Sequence, residues 1–406
     1  MNPRILIIGL VIPEPTSSAA GGRMLQLIEQ LKQISSDIHF ATAATDSDRS
    51  FSLEQIGVQK HTIVLNDTSF NDFVAQLNPQ IVMYDRFMTE EQFGWRVRQM
   101  CPKCVTILDT EDLHFVRRAR AEAFKKSEVV NYDTTDCYRE LSAIYRCDLS
   151  VIISKVEYDL LVNHFQTPEK QLLYLPFIQN EIKEEHFKKL PSFEERKDIM
   201  FIGNFIHEPN YQTVVLLKKL WNDLRKQLPE TELHIYGAYP PQKVLQLHNE
   251  NERFIVKGET ENVDETMRKY RILFAPIPFG AGLKGKFVDG FKNGLPSVTT
   301  TIGAEGMYHD CWGGFVADVP KDMPKVVCLL YQNKVIWENA VQVGYQVINK
   351  HFSMERWNGV LKIRMEKIVE NLAEHRSDLF IRKILWQNYL QATKYMSLWI
   401  EAKNKE

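Results

Sequence analysis

The chain has 406 residues, 44% hydrophobic and 25% charged, too long for one ordinary core and too apolar for disorder, so two domains of roughly 150 to 200 residues are expected. Its 50 Lys and Arg against 52 Asp and Glu leave a net charge of -2, which excludes a general nucleic-acid binder that works by neutralising many phosphates. The six cysteines are scattered, no run of about 18 apolar residues occurs, and the first apolar run is too short for a signal segment, so a cytoplasmic protein is expected.

Residues 4–12 form a continuous β-rich apolar run, as expected for a parallel strand covered on both faces. Small and turn residues fill 13–22, and Met24, Leu27, Ile28 and Leu31 then recur at helical spacing over 23–34. The alternation continues with strands over 38–41, 62–65, 81–84, 105–108 and 149–153 and helices over 70–77 and 90–99, which predicts a doubly wound sheet. Cys101-Pro-Lys-Cys104 has the spacing of a half zinc site, but no second pair of ligands accompanies it, and a turn before the strand 105–108 explains it. A charged linker near 176–191 marks the domain boundary. The second series has strands over 198–202, 232–236, 254–257, 272–276, 297–300 and 314–317, with helices over 212–228 and 263–270. A last helical run, 379–405, carries Ile384, Leu385, Tyr389, Tyr395 and Trp399 and reads as a packed element.

The chemistry concentrates after the strand 272–276, in Phe279-Gly-Ala-Gly-Leu-Lys-Gly-Lys-Phe-Val-Asp-Gly-Phe-Lys-Asn-Gly-Leu-Pro296. Gly280, Gly282 and Gly285 let backbone approach a ligand, and a helix starting near Leu283 aims its free N–H groups and dipole at the loop. Lys284 and Lys286 add point charges for a diphosphate, and Asp289 can accept hydrogen bonds from a vicinal diol such as a ribose. Gly294 and Pro296 end the helix. From spacing alone, a tight turn followed by an amphipathic helix explains the same residues.

This segment resembles the donor-binding signature of the GT-B glycosyltransferases of family 4, retaining enzymes with two glutamates followed by Ala-x-Ala-x-Gly-x-Pro. Asp289 stands at the second glutamate, Gly294 and Pro296 match the helix end, and Ala281 stands where the first glutamate is usual. A branch of the family carries Gly-x-Gly-x-Lys-Gly-Lys here, as this chain does, and Thr300-Thr-Ile-Gly-Ala-Glu-Gly306 is similar to the same branch. Met200-Phe-Ile-Gly-Asn204 resembles the donor domain's first strand and loop, without the arginine and lysine that many members carry beyond it. The segments ending at Gly237 and at Lys257-Gly258 resemble strands whose following loops hold the nucleobase. In the first half, 13–22 resembles the family's first glycine-rich loop, and His114, after Asp109-Thr-Glu-Asp112, matches a histidine near donor sugar and acceptor.

The resemblance implies an α/β, GT-B fold: two Rossmann-like doubly wound domains facing a cleft, an acceptor domain at 1–180, a donor domain at 181–378 and a helix at 379–406 crossing back to the first. It implies transfer of a hexose from a nucleoside-diphosphate sugar to a glycan, lipid-linked or other hydroxyl acceptor, with retention, in polysaccharide biosynthesis, needing no cofactor or metal. His114 and Lys284 are the implied catalytic residues. Donor contacts fall to Gly21, Gly22, Gly203, Asn204, Gly237, Lys257, Gly258, Gly280, Gly282, Leu283, Lys284, Lys286 and Asp289, and acceptor contacts to Asp85, Arg86, Asp112 and His114. The basic run Arg117, Arg118, Arg120, Lys125 and Lys126 is either a solvated helix face or a patch for an anionic lipid-linked acceptor at the inner face of a membrane. A GT-B protein without catalysis, serving as a partner subunit, is the alternative that Ala281 raises. A Rossmann dehydrogenase is disfavoured because Pro-Glu-Pro-Thr-Ser-Ser follows Ile12 where Gly-x-Gly-x-x-Gly would be needed.

Overall fold

A computed structural model describes residues 2–307 and 311–404, including all their side chains except those of 388–391. The first apolar runs become a seven-stranded parallel sheet: β1 (Ile5–Gly9), β2 (Ile38–Thr42), β3 (Gln59–Thr62), β4 (Ile81–Asp85), β5 (Val105–Asp109), β6 (Leu149–Ile152) and β7 (Leu172–Tyr174), in the order β3-β2-β1-β4-β5-β6-β7. Ile5 pairs with Ile38 on one side and Ile81 on the other, so β1 is central and buried along its whole length. Helices cover both faces of the sheet, as continuous apolar strands require.

The sheet's edges depart from the expected pattern. β3 lies at 59–62 rather than 62–65, and Val64 and Leu65 beyond it are exposed. An edge strand is hydrogen-bonded on one side only, so the polar run Gln-Lys-His-Thr suffices there and apolar content misplaces the strand. Three-residue β7 is too short to give a periodic signal. The helix Ala19–Lys32 starts earlier than 23, with the Ser18 hydroxyl accepting from the Gly21 N–H, so Gly21 and Gly22 lie in its first turn. Cys101 and Cys104 are buried in the first-domain core on a turn closed by Cys104 N–H to Cys101 C=O, 3.1 Å.

The second sheet has six parallel strands: β8 (Lys197–Ile202), β9 (Leu233–Tyr236), β10 (Phe254–Gly258), β11 (Tyr270–Ala275), β12 (Ser297–Thr299) and β13 (Gly314–Val316), in the order β10-β9-β8-β11-β12-β13. Both sheets reverse their strand order beside their first strand, between β1 and β4 and between β8 and β11. Crevices at the carboxyl ends of such strands are where open α/β sheets take ligands.

The chain leaves the first domain and re-enters it at one point. Gln179 N–H donates to Phe352 C=O and Met354 N–H to Gln179 C=O, both at 2.7 Å. The return comes before 379: Leu361, Met365 and Ile368 of the helix Val360–Glu370 are already buried in the first-domain core with Ile5, Ile28 and Leu175. The apolar spacing of that helix, not only the final one, belongs to the first domain. The final helix Phe380–Lys403 then packs on the helices Arg86–Met100 and Thr135–Arg146. Trp386 is buried there, donating to Arg146 C=O at 3.0 Å, but of the residues that suggested packing Ile384, Tyr395 and Trp399 are exposed, and Tyr389's side chain and Lys405 lie outside the described residues. No helix among the described residues is long and apolar enough to cross a membrane.

Candidate functional site

The two switch points face each other across a cleft of about 790 Å³, lined from both domains and within the size range of ligand sites. From the second domain come the loop after β8 with Gly203, Asn204 and His207, Asn210 in the first turn of the helix Glu208–Gln227, the loop after β9 with Gly237 and Tyr239, and residues 279–286 with Val288 and Asp289. From the first come residues 10–22, Asp85, Arg86, Glu111, Asp112, His114 and Arg117.

The glycine-rich loop behaves as its residues dictate. Gly282 has φ +62°, and a Cβ there would stand 2.7 Å from the Cβ of Asp112 across the cleft, so only glycine fits both the backbone and the approach. The helix Gly285–Lys292 begins with Lys284 as its N-cap residue and has no acidic group in its first turn, leaving its N–H end free to meet an anion. Lys284 Nζ donates to Gly282 C=O at 2.9 Å and lies 3.9 Å from Glu305. Burial lowers the Lys284 ammonium's pKa while Glu305 opposes the shift. Lys286 Nζ donates to Asn210 Oδ1 at 2.8 Å, and burial followed by the Lys284 charge brings its pKa down to about 7. Burial raises Asp289 to about 6.

On the opposite wall, His114 is buried, its ring edge-on to Phe87 and its Nε2 3.5 Å from Asp112 Oδ1. Burial lowers its pKa to about 3, so the imidazole is neutral near pH 7 and can both accept and donate a hydrogen bond. Asp112 is ionised: burial works against its charge, but Arg117 at 2.5 Å, His114, His207 and Arg86 hold its pKa below the ordinary value. Asp85 Oδ2 accepts from the Leu10 N–H at 3.1 Å, tying β4 to β1 at the switch point. Arg86 and Glu111, at the ends of β4 and β5, take left-handed conformations, φ +69° and +61°. Non-glycine residues in that region concentrate at functional sites.

Asp85, Asp109 and Glu111 bring carboxylate oxygens within 4.8 Å of one another and are the cation-capable cluster at the cleft. Arg23 Nη2 lies 3.7 Å from Asp109, and Arg86 Nη1 3.5 Å from Asp85, so two guanidiniums already supply positive charge there. Burial raises Asp109 to about 6 and Glu111 higher than a carboxylate's ordinary range.

Most residues singled out in the sequence meet in this cleft, but Lys257 and Gly258 do not line it. β10 is an edge strand whose register skips Lys257, leaving that side chain exposed, and Gly258 C=O is taken by Gly237 N–H at 2.7 Å. The next two residues, Glu259 and Thr260, reach the cleft instead. The basic residues of the helix His114–Lys126 each have an acidic neighbour, though Arg118, Lys125 and Lys126 stay largely exposed. Arg117 pairs with Asp112, Arg118 with Asp136, Arg120 with Glu305, and Lys125 and Lys126 with Glu122. Sequence reasoning missed His207, whose pKa burial lowers to about 4, and the bridging groups Glu14, Tyr239 and Glu259. His207 had a signal: it stands in the loop at the carboxyl end of the second domain's first strand.

Residues 196–333 match the family model described as glycosyl transferases group 1. Similar solved structures include sucrose-phosphate synthase from Thermosynechococcus elongatus, with 14% identity and a TM-score of 0.67 over 91% of this chain and 99% of that one. Anabaena HepE, solved with UDP and glucose, has 11% identity and a TM-score of 0.65 over 92% and 100%. S. aureus TarM, solved with fondaparinux, alpha-GlcNAc-glycerol and UDP, has 13% identity and a TM-score of 0.58, covering 74% of this chain. This chain spans 58% of that TarM structure's length. No curated protein sequence matches the chain. The chain has the GT-B fold, and its second domain, over 196–333, is the part that matches the group 1 glycosyl transferases.

Proposed function

We propose that the chain is a retaining family 4 glycosyltransferase that moves a hexose from a nucleoside-diphosphate sugar to a hydroxyl of a glycan or lipid-linked acceptor. The reading rests on one juxtaposition: the free N-terminus of Gly285–Lys292, with Lys284 and Lys286, faces neutral His114 and ionised Asp112 across a single cleft. The N–H groups and lysines stabilise the negative charge that develops on the departing diphosphate, as preorganised donors do. Asp289 accepts from the ribose hydroxyls. His114 and Asp112 accept from sugar or acceptor hydroxyls, and same-face attack assisted by the leaving phosphate retains configuration without a protein nucleophile or a metal.

Purified protein presented with UDP-, GDP-, ADP- and dTDP-sugars should release the nucleotide of one donor class. Lys284→Ala should lower that turnover by about 100- to 1000-fold, the effect of removing one preorganised group that stabilises developing negative charge. Near-normal turnover in a folded variant would remove Lys284 from the mechanism. Ala281 supports a second reading, a nucleotide-binding partner subunit, because it packs against the first-domain core and offers the transferred sugar no carboxylate. Nucleotide binding without transfer or donor hydrolysis would favour it.

A further inference from the structure

The loop between β11 and the helix Gly285–Lys292 belongs to the second domain, yet the first domain holds its peptide groups. Gly282 N–H donates to Glu157 Oε1 at 2.8 Å, and Gly280 C=O accepts from Arg120 Nη1 at 2.8 Å. Between them, Ala281 packs on the first-domain core. The same Glu157 oxygen accepts from Leu113 N–H at 3.0 Å, the residue that caps the helix opened by His114. Arg120 is itself fixed by both oxygens of Glu305, at 2.6 and 2.8 Å.

Glu157 is 2% exposed, and its Oε2 has no hydrogen-bond partner among the described residues. A well-packed apolar side chain would join two domains without the cost of burying a carboxyl group. What a carboxyl oxygen adds is direction. It receives one N–H from the start of the His114 helix and one from the loop, and so fixes the two walls of the cleft relative to each other.

We propose that Glu157, with Arg120, is a positioning residue: it orients the 280–282 peptides so that the following N–H groups address the diphosphate only when the His114 wall is in place. Donor binding and placement of His114 thereby become one event. The inference rests on the nucleotide-sugar reading. Its test combines hydrogen exchange of the 279–287 amides with calorimetric binding of UDP, GDP, ADP and dTDP to wild type, E157A and E157Q. In E157A the loop amides should exchange faster without nucleotide, and the nucleotide that binds wild type should bind about tenfold more weakly, the size of one ordinary hydrogen bond. E157Q keeps an acceptor oxygen at the same reach and should recover most of that affinity. If E157A does not fold, R120Q, at the half-buried tether, should show the same two effects.

Unchanged loop exchange overturns the proposal, as does faster exchange with undiminished nucleotide affinity, which would leave Glu157 a packing element. A wild type that binds none of the four nucleotides overturns the nucleotide-sugar reading itself. Binding to wild type with equal binding to E157A overturns only the positioning role.

Discussion

Lys286 is a group in the cleft whose charge responds near neutrality, because burial and then the Lys284 charge bring its ammonium down to about 7. A bound diphosphate raises that pKa again, so the complex holds more protons than the free protein above pH 7. Affinity should therefore rise as pH falls from an unperturbed lysine's range toward about 7 and level off below it. At pH 8, calorimetry of the bound nucleotide in buffers of different ionisation enthalpy should report uptake approaching about one proton, absent in Lys286→Met. Zero uptake in wild type would place Lys286 away from the phosphates. His114, lowered to about 3 by burial, takes no part in that uptake.

The loop carrying these lysines can be tested as an element. Gly282→Ala would demand a left-handed alanine and a Cβ 2.7 Å from that of Asp112, so it should weaken nucleotide binding while leaving the second-domain core intact. Equal affinity would mean that the loop relaxes without consequence. In the final helix, Trp386→Ala removes a buried ring and a hydrogen bond to Arg146 C=O, and should cost about 3–5 kcal/mol in denaturant unfolding. A loss below about 1 kcal/mol would mean that this helix contributes little to the first domain. The parallel strands with continuous apolar runs were legible from sequence, as was the Gly-Lys loop, because both signals are local. β3 was displaced because edge pairing, not apolar content, decides it. Glu157, Arg120 and Glu305 were illegible as a group: more than 100 residues separate Glu157 from Gly282, and no spacing rule reaches that far. Lys257 and Gly258 stop just short of Glu259 and Thr260, which line the cleft, a distinction that resemblance between strands does not resolve.

At the scale of the molecule, side-chain clasps bridge the cleft in addition to the Glu157–Gly282 bond. One is Arg120 with Glu305. Another joins Glu14 to Tyr239 at 2.9 Å and Arg49 to both oxygens of Glu259, with Arg49 also stacked over the Tyr239 ring. The second clasp is part-exposed, and exposed ion pairs add little to stability. Arg49→Ala should thus leave the melting temperature nearly unchanged while increasing the radius of gyration in X-ray scattering. An identical scattering profile would mean that the Arg49 and Glu259 pair is not needed for closure, leaving it to Tyr239 with Glu14, Arg120 with Glu305 and Glu157 with Gly282.

The paired crossings at Gln179 and at Phe352 and Met354 carry a consequence for biosynthesis. In topology the second domain is an insertion within the first, whose core waits for Leu361, Met365 and Ile368. On the ribosome the inserted domain can complete its fold while its host still lacks part of its interior, reversing the usual order in which the earlier-made domain folds first. A nascent chain halted before residue 354 would present a finished second domain joined to an unfinished first one with apolar surface still open, the species a chaperone would be expected to meet.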